Sequence, residues 1–407
     1  MELNASSVVD ETVADDFHQR FESRRGAQIM KNPEDKYYPL LKSFSRHCLN
    51  PKPPDGLPPD RGVRHEIDLK PGSGYCVLRQ WPLSKEQSGI IDAFFDKKQR
   101  AGLVRESKSP HSAPTFCVRK PNGKWRIVHA YNKLNAATVP AQTPKPRKDV
   151  ILHRMAGSKK FSVLDLVDGY YQVLMREKDI PLTAVSTPSG MLWEWLVMPQ
   201  GLSNAPATFN RLVGALFRPL RDFAQTYFDD IFVHTKPTAN RDLDDVHLEH
   251  LESVLECMSE NWLFANLDKC IFGADEVPVL GCFVGTHGVR ADPAKIKVIV
   301  EWPVPQSQKD LRRWLGLANY LHRYTANYAE MARPLSDLLK KDSERVWTPE
   351  CDRAFRTIAQ SLQSLRSRTI HAPSASCVTP PIMASAVLSS KKMSTDANAS
   401  SRFSLGS

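Results

Sequence analysis

No apolar run in this chain of 407 residues approaches the ~20 that a membrane-spanning helix needs, so a membrane partner is not expected. Its eight cysteines are scattered with no Cys-x-x-Cys pair. That argues against a zinc site and a disulfide framework and fits a reducing compartment. The first sixteen residues are polar and acidic, with Glu2, Asp10, Glu11, Asp15 and Asp16, unlike a secretory signal or a transit peptide. An intracellular, non-secreted protein is expected. No internal repeat is visible, so a solenoid array is not expected. Acidic residues nearly vanish after residue 363. The stretch 364–407 holds twelve serines and one acid, Asp396, without sustained periodicity, the composition of a disordered tail.

Positive charge is in surplus. A net charge of +10 and a pI near 9.1 favour a polyanionic partner. The length accommodates two or three domains or one multi-lobed enzyme, and a hydrophobic content of 41% supports real cores. Mid-chain lies Tyr227-Phe228-Asp229-Asp230, followed by apolar Ile231, Phe232 and Val233; a second acidic centre, Asp165, ends the apolar run Phe161-Ser162-Val163-Leu164. Two adjacent carboxylates on a tight hairpin, opposite a third at a strand end, suit two Mg²⁺ ions, which prefer hard oxygen ligands and leave positions for phosphates. Two ions roughly 3.5–4 Å apart can activate a 3′-hydroxyl and stabilise a leaving pyrophosphate. The bland alternative is an Asp pair that caps its own turn.

Residues 1–80 are rich in turn formers, culminating in Pro51-Lys52-Pro53-Pro54-Asp55-Gly56-Leu57-Pro58-Pro59, and read as an extended, partly disordered lead-in or linker. Ser84-Lys85-Glu86-Gln87 predicts a capping box for a helix carrying Ile90, Ile91, Phe94 and Phe95 and stopping near Gly102. Thr115–Val118 and Trp125–Val128 read as strands around the hairpin signal Pro121-Asn122-Gly123. A helix is predicted from Pro206 to Leu216, and another from His247 with Leu251, Val254, Leu255 and Met258 on one face. Val277 to Val284 reads as a strand and Gly288 as a turn. Ser307-Gln308-Lys309-Asp310 caps a helix with Leu311, Trp314, Leu315 and Ala318 on one face and Lys309, Arg312 and Arg313 on the other.

Taken in order, these motifs resemble the reverse transcriptases of gypsy-type LTR retrotransposons, from about Leu57 to Leu362. Carrying the resemblance are Gly123-Lys124-Trp125-Arg126, Asn132-Lys133-Leu134-Asn135, the run ending in Asp165-Leu166, Gly169-Tyr170-Tyr171-Gln172, the stretch from Trp195 through Gln200-Gly201-Leu202-Ser203-Asn204-Ala205-Pro206 to Phe209, Tyr227–Asp230, Asn266-Leu267-Asp268-Lys269-Cys270, Leu280-Gly281 and Trp314–Tyr320. The resemblance implies an α+β right-hand polymerase of fingers, palm and thumb, its antiparallel palm sheet backed by helices. Fingers and palm would span 81–288, the thumb 289–345, and the start of a connection region 346–363.

The resemblance also implies roles. Asp165 and Asp229 would hold both metals, with Asp230 completing the cluster and the Leu166 backbone as a further oxygen; the cofactor would be two Mg²⁺ ions, with Mn²⁺ as a substitute. Arg126, Arg119 and Lys120 would meet the incoming deoxynucleoside triphosphate, since the guanidinium fork matches phosphate oxygens; a solvated hairpin tip is the alternative for Arg119 and Lys120. Tyr170 would lie under the nucleotide sugar and reject a 2′-hydroxyl, against the alternative of a simple core aromatic. Gln200 would reach the sugar or nascent base pair, and Lys269 would protonate pyrophosphate unless it is merely a surface lysine. Asn204, Pro206 and Tyr227 would track the RNA or DNA template, and Leu280-Gly281 would grip the primer unless it is an ordinary buried hairpin. Lys309, Arg312 and Arg313 would line the duplex and supply affinity without sequence preference. A cytoplasmic location, including virus-like particles, or a nuclear one would follow.

Two departures stand out. Ala130-Tyr131-Asn132 replaces a usual Asp-Tyr-Arg, leaving a fingers ion pair neutral. The match also stops near Gln363, where a connection and a ribonuclease H domain would follow. Read two nucleotides out of frame with permitted codons, Cys377 through Lys391 can encode Cys-Asp-Ala-Ser-Asp-Tyr-Gly-Ile-Gly-Cys-Ala-Leu-Phe-Gln-Glu, which looks like the opening of such a domain. On this hypothesis residues 364–407 are a frameshifted tail; gene sequence in which neither other frame continues into ribonuclease H would sink it. Asp-Thr-Gly and Asp-Ser-Gly protease signatures and an integrase zinc pattern are absent. The expectation is an RNA-directed DNA polymerase domain, with a catalytically inactive nucleic-acid-binding relic as the alternative and an RNA polymerase disfavoured by Tyr170.

Overall fold

Buried apolar runs create the central sheet. The computed structural model describes residues 21–50, 53–119, 123–142, 147–320, 327–340 and 346–363. Among these the strands are β1 (Val104–Glu106), β2 (Ala113–Arg119), β3 (Trp125–His129), β4 (Lys160–Asp165), β5 (Val185–Ser186), β6 (Leu192–Trp195), β7 (Ala224–Tyr227), β8 (Asp230–Thr235), β9 (Ile271–Ala274), β10 (Glu276–Val279), β11 (Cys282–Gly285) and β12 (Gly288–Ala291). Phe161 to Leu164 are buried without alternation, as befits a strand covered on both faces. It is an inner strand of an antiparallel palm sheet ordered β7-β8-β4-β9.

Two helices back this sheet. Ala205–Leu216 packs against β7, burying Phe209, Leu212 and Val213. Leu243–Glu260 packs against β4 and β8 and buries Leu251, Val254, Leu255 and Met258. Its first turn is held by Asp242, whose side chain accepts the backbone N–H groups of Asp244 and Asp245, satisfying donors that a helix start leaves unpaired. The fingers sheet, ordered β1-β6-β5-β2-β3, is covered by helix Lys85–Arg100, where Ser84 and Gln87 form the anticipated capping box. Helices Pro293–Val300, Gln308–Tyr320, Tyr328–Asp337 and Pro349–Gln363 share a separate thumb core around Trp314, Leu335 and Ile358. The architecture is the expected α+β hand.

Three details differ from expectation. Residues 21–49 are not an extended lead-in: helices Gly26–Ile29 and Tyr38–Phe44 bring Ile29, Tyr37, Leu41, Cys48 and Leu49 into the main core, because apolar residues at helical spacing outweigh the turn formers around them. Val277 to Val284 is two strands, split at Leu280-Gly281, both at positive φ (50° and 76°), the backbone that a two-residue hairpin turn demands. The boundary anticipated at residue 345 is not a packing boundary, since Pro349–Gln363 completes the thumb core. Residues 1–20, Pro51, Lys52, Lys120, Pro121, Asn122 and the anticipated tail 364–407 lie outside the described residues.

Candidate active site

The three acids converge because β4 and β8 are in register. Asp165 faces Asp230 across the ladder, and Tyr227 pairs with Asp230 across the β7–β8 hairpin. Phe228-Asp229 is therefore a two-residue turn, with Phe228 in the left-handed region at φ 51°, a conformation bulky residues avoid. Helix Ala205–Leu216 holds it there: Phe228 donates its N–H to Asn210 Oδ1 at 3.0 Å. A second tie joins the two acidic segments directly, as the Leu166 N–H donates to the Asp229 carbonyl at 2.9 Å.

The electrostatics are those of crowded negative charge. Burial, followed by the charges of Asp165 and Asp229, pushes the Asp230 carboxyl up to about 6. Asp229 is raised by enclosure of its carboxyl and then by Asp165, although the residue as a whole is solvent-exposed. Lys269 answers part of this charge, its Nζ lying 3.1 Å and 3.4 Å from the Asp165 oxygens. Among the described residues no three His, Cys, Asp or Glu side chains form a ready-made metal cluster. The donor set nonetheless fits hard divalent cations: all three groups are carboxylates, two resist ionisation without a counter-charge, and the third already holds a cation.

Around the acids the aromatic residues are layered. Tyr170 sets its ring edge-on to Phe209 (centroids 5.6 Å, 75°), and burial, then Asp229, raises its phenol to about 12. Gly169 fits between Phe209 and the acids; a Cβ there would come within 2.7 Å of the Phe209 ring and 3.3 Å of Asp229 Oδ1. Tyr171 stacks on Trp195 at 4.9 Å and 6°, with Lys98 Nζ 4.0 Å above its ring. On the fingers, Arg126 is exposed and donates to Gln200 Oε1 at 3.4 Å, while Arg119 lies over Trp125 at 5.7 Å.

The remaining candidates divide. The Asn204 amide is spent on residues 139–141, accepting from the Ala141 N–H and donating to the Val139 carbonyl, so it braces a loop. Pro206 begins the helix and is half-buried. Tyr227 is half-buried against Phe228. Leu280-Gly281 forms the β10–β11 turn, and Lys309, Arg312 and Arg313 are exposed opposite Leu311, Trp314 and Ala318. Asn210 and Lys98 were not singled out from sequence, and Gly169 was read only as part of a motif. Asn210 directly follows a quoted motif, yet nothing in a lone Asn announces that it caps a distant turn.

A family model described as reverse transcriptase (RNA-dependent DNA polymerase) matches residues 118–284. The chain is 36% identical over 285 residues to the retrovirus-related Pol polyprotein from transposon 297 of Drosophila melanogaster, covering 69% of this chain and 26% of that one. It is 35% identical over 307 residues to the polyprotein from transposon opus of the same species, covering 74% and 30%. The chain thus spans less than a third of these relatives. Among solved structures, a foamy viral protease-reverse transcriptase in complex with dsDNA shares the fold at a TM-score of 0.74 and 22% identity, over 89% of this chain and 74% of that one. The foamy viral protein in complex with an RNA/DNA hybrid gives 0.69 and 22%, over 86% and 46%.

Proposed function

The chain belongs to the reverse transcriptase family, alongside retrotransposon Pol polyproteins, and from that premise we propose that it copies an RNA or DNA template into DNA. One observation carries this reading: Asp165, Asp229 and Asp230 meet at one end of the palm sheet's two inner strands beside Tyr170 and Lys269. A primer 3′-hydroxyl, giving up its proton to solvent, would attack the α-phosphate of a deoxynucleoside triphosphate in line; the new P–O bond forms as the bond to the β-phosphate's bridging oxygen breaks and pyrophosphate leaves. Asp165, Asp229, Asp230 and the Leu166 carbonyl would hold two Mg²⁺ ions, which supply charge stabilisation and a more acidic hydroxyl.

The chain's own groups do the rest. Arg126, oriented by Gln200, meets the triphosphate with Arg119, and Lys269 delivers a proton to pyrophosphate. Tyr170, wedged on Phe209, occupies the space a ribose 2′-hydroxyl needs. Lys309, Arg312 and Arg313 engage duplex phosphates, a contact independent of sequence. Catalysis on this reading is positioning and charge stabilisation.

The test is primer extension on an RNA template with deoxy- and ribonucleotides in parallel. Extension with deoxynucleotides alone is expected. Ribonucleotide use at a comparable rate would make the chain an RNA polymerase. Primer–template binding without extension would make it a non-catalytic relic.

A further inference from the structure

The palm's edge carries a second concentration of charge that the nucleotide chemistry leaves unused. Between helix Lys148–Met155, the end of helix Ala205–Leu216 and strand β7 lies a cavity of ≈ 370 Å³ lined by Arg147, Arg154, Arg218 and Arg221, with no carboxylate in its wall. Arg147 is paired with Asp149 at 2.6 Å. Among the described residues Arg154 donates to a neutral group, Gln225 Oε1, at 3.3 Å. Among the described residues neither Arg218 nor Arg221 has a carboxylate partner. All four arginines are exposed, and Arg154, Arg218 and Arg221 carry like charge beside one another, a repulsion that an anion between them relieves.

The wall is built to keep Arg154 in place. Gln225 is 5% exposed, and its amide donates to the Arg221 carbonyl at 2.6 Å. With the nitrogen so engaged, the oxygen is aimed at Arg154. Gly214 borders the space, and a Cβ there would meet no atom within 4 Å, so a larger side chain at this position has room to enter it. Pro206, Asn210 and Gly214 recur every four residues and so share a helix face. The cavity therefore lies ~12 Å along the helix from Pro206.

We propose that this cavity is a phosphate-binding pocket that grips the backbone of the nucleic-acid strand the palm carries. The inference rests on the polymerase reading and extends it. A guanidinium fork matches phosphate oxygens in two-point contacts, and a phosphate contact holds a strand without reading its sequence. A free polyphosphate presents the same chemistry, so the experiment separates the two sources.

The experiment measures binding of a labelled RNA–DNA primer–template to the full chain across a salt series, by anisotropy. The double variant Arg218→Gln/Arg221→Gln removes charge; Gly214→Leu fills the cavity and leaves every arginine. Both variants should melt as the native chain does and bind several-fold more weakly at intermediate salt. The double variant's log K against log[salt] slope should be shallower by about 1. Native affinity and slope in the double variant overturn the proposal. So does native binding by Gly214→Leu beside weak binding by the double variant, which would mean a diffuse field and no pocket. Tripolyphosphate that binds the native chain but not the double variant, while primer–template binds both alike, identifies a small-anion site and overturns the nucleic-acid assignment. Extension by the native chain is scored in the same samples: its loss sinks the polymerase reading, whereas unchanged variant binding beside intact extension sinks only the pocket.

Discussion

Phe228 shows how the site depends on single residues. A bulky aromatic at φ 51° is held by a hydrogen bond from its N–H to Asn210 Oδ1. Asn210→Ala should cost about 1 kcal/mol of stability and lower kcat with little change in KM; equal kcat would show that the turn needs no brace. Gly169→Ala is expected to be worse, since its Cβ at 2.7 Å from the Phe209 ring and 3.3 Å from Asp229 Oδ1 forces a shift at the acids. Overpacking of this kind costs about 1–3 kcal/mol, and single-nucleotide extension would register it as a loss of rate. Tyr170→Ala should raise ribonucleotide incorporation relative to deoxynucleotide by on the order of tenfold, ~1.4 kcal/mol of transition-state discrimination; an unchanged ratio would return Tyr170 to the role of a core aromatic.

At the scale of elements, buried neutral histidines tie segments distant in sequence together. His247 bridges Ser162 of β4 and Thr235 of β8, His234 meets Ser158, His129 meets Thr115, and His65 meets Thr208. Burial lowers all four, His65 and His234 to about 4 and His129 and His247 to about 3. Their stabilising contribution is complete above the unfolded value near 6.5 and is lost as pH falls through the folded values. Each shift corresponds to a few kcal/mol at most, on the order of 1.4 per unit. The raised Asp229 and Asp230 act in the opposite sense and offset part of it. The urea midpoint of the metal-free chain should fall between pH 7 and 4; a flat or rising midpoint would contradict the assignment. The paired helices and the β7–β8 hairpin were legible in sequence because capping and apolar period are local signals. The hairpin alternative for Leu280-Gly281 was legible too and divides Val277–Val284, whereas the bracing role of Asn204 was not, since a side chain spent on residues 139–141 depends on partners distant in sequence.

For the whole molecule, the N-terminal segment is the main revision. Composition marked 1–80 as a lead-in, whereas Tyr37 and Leu41 lie in the core. Tyr37 fits so closely over Gly273 that a Cβ there would lie 2.3 Å from its ring. Removing residues 1–50 should expose this surface and cause aggregation or a large drop in melting temperature, and Leu41→Ala alone should cost about 2–5 kcal/mol; a shortened chain that melts as the full one does would restore the linker reading. The central claim concerns the three acids, and primer extension with Mg²⁺ and deoxynucleotides tests it most directly, comparing the native chain with Asp229→Asn. Extension by the native chain, and none by a variant that still folds and binds primer–template, is the predicted result; equal extension by both would place the chemistry outside the Asp165–Asp229–Asp230 cluster.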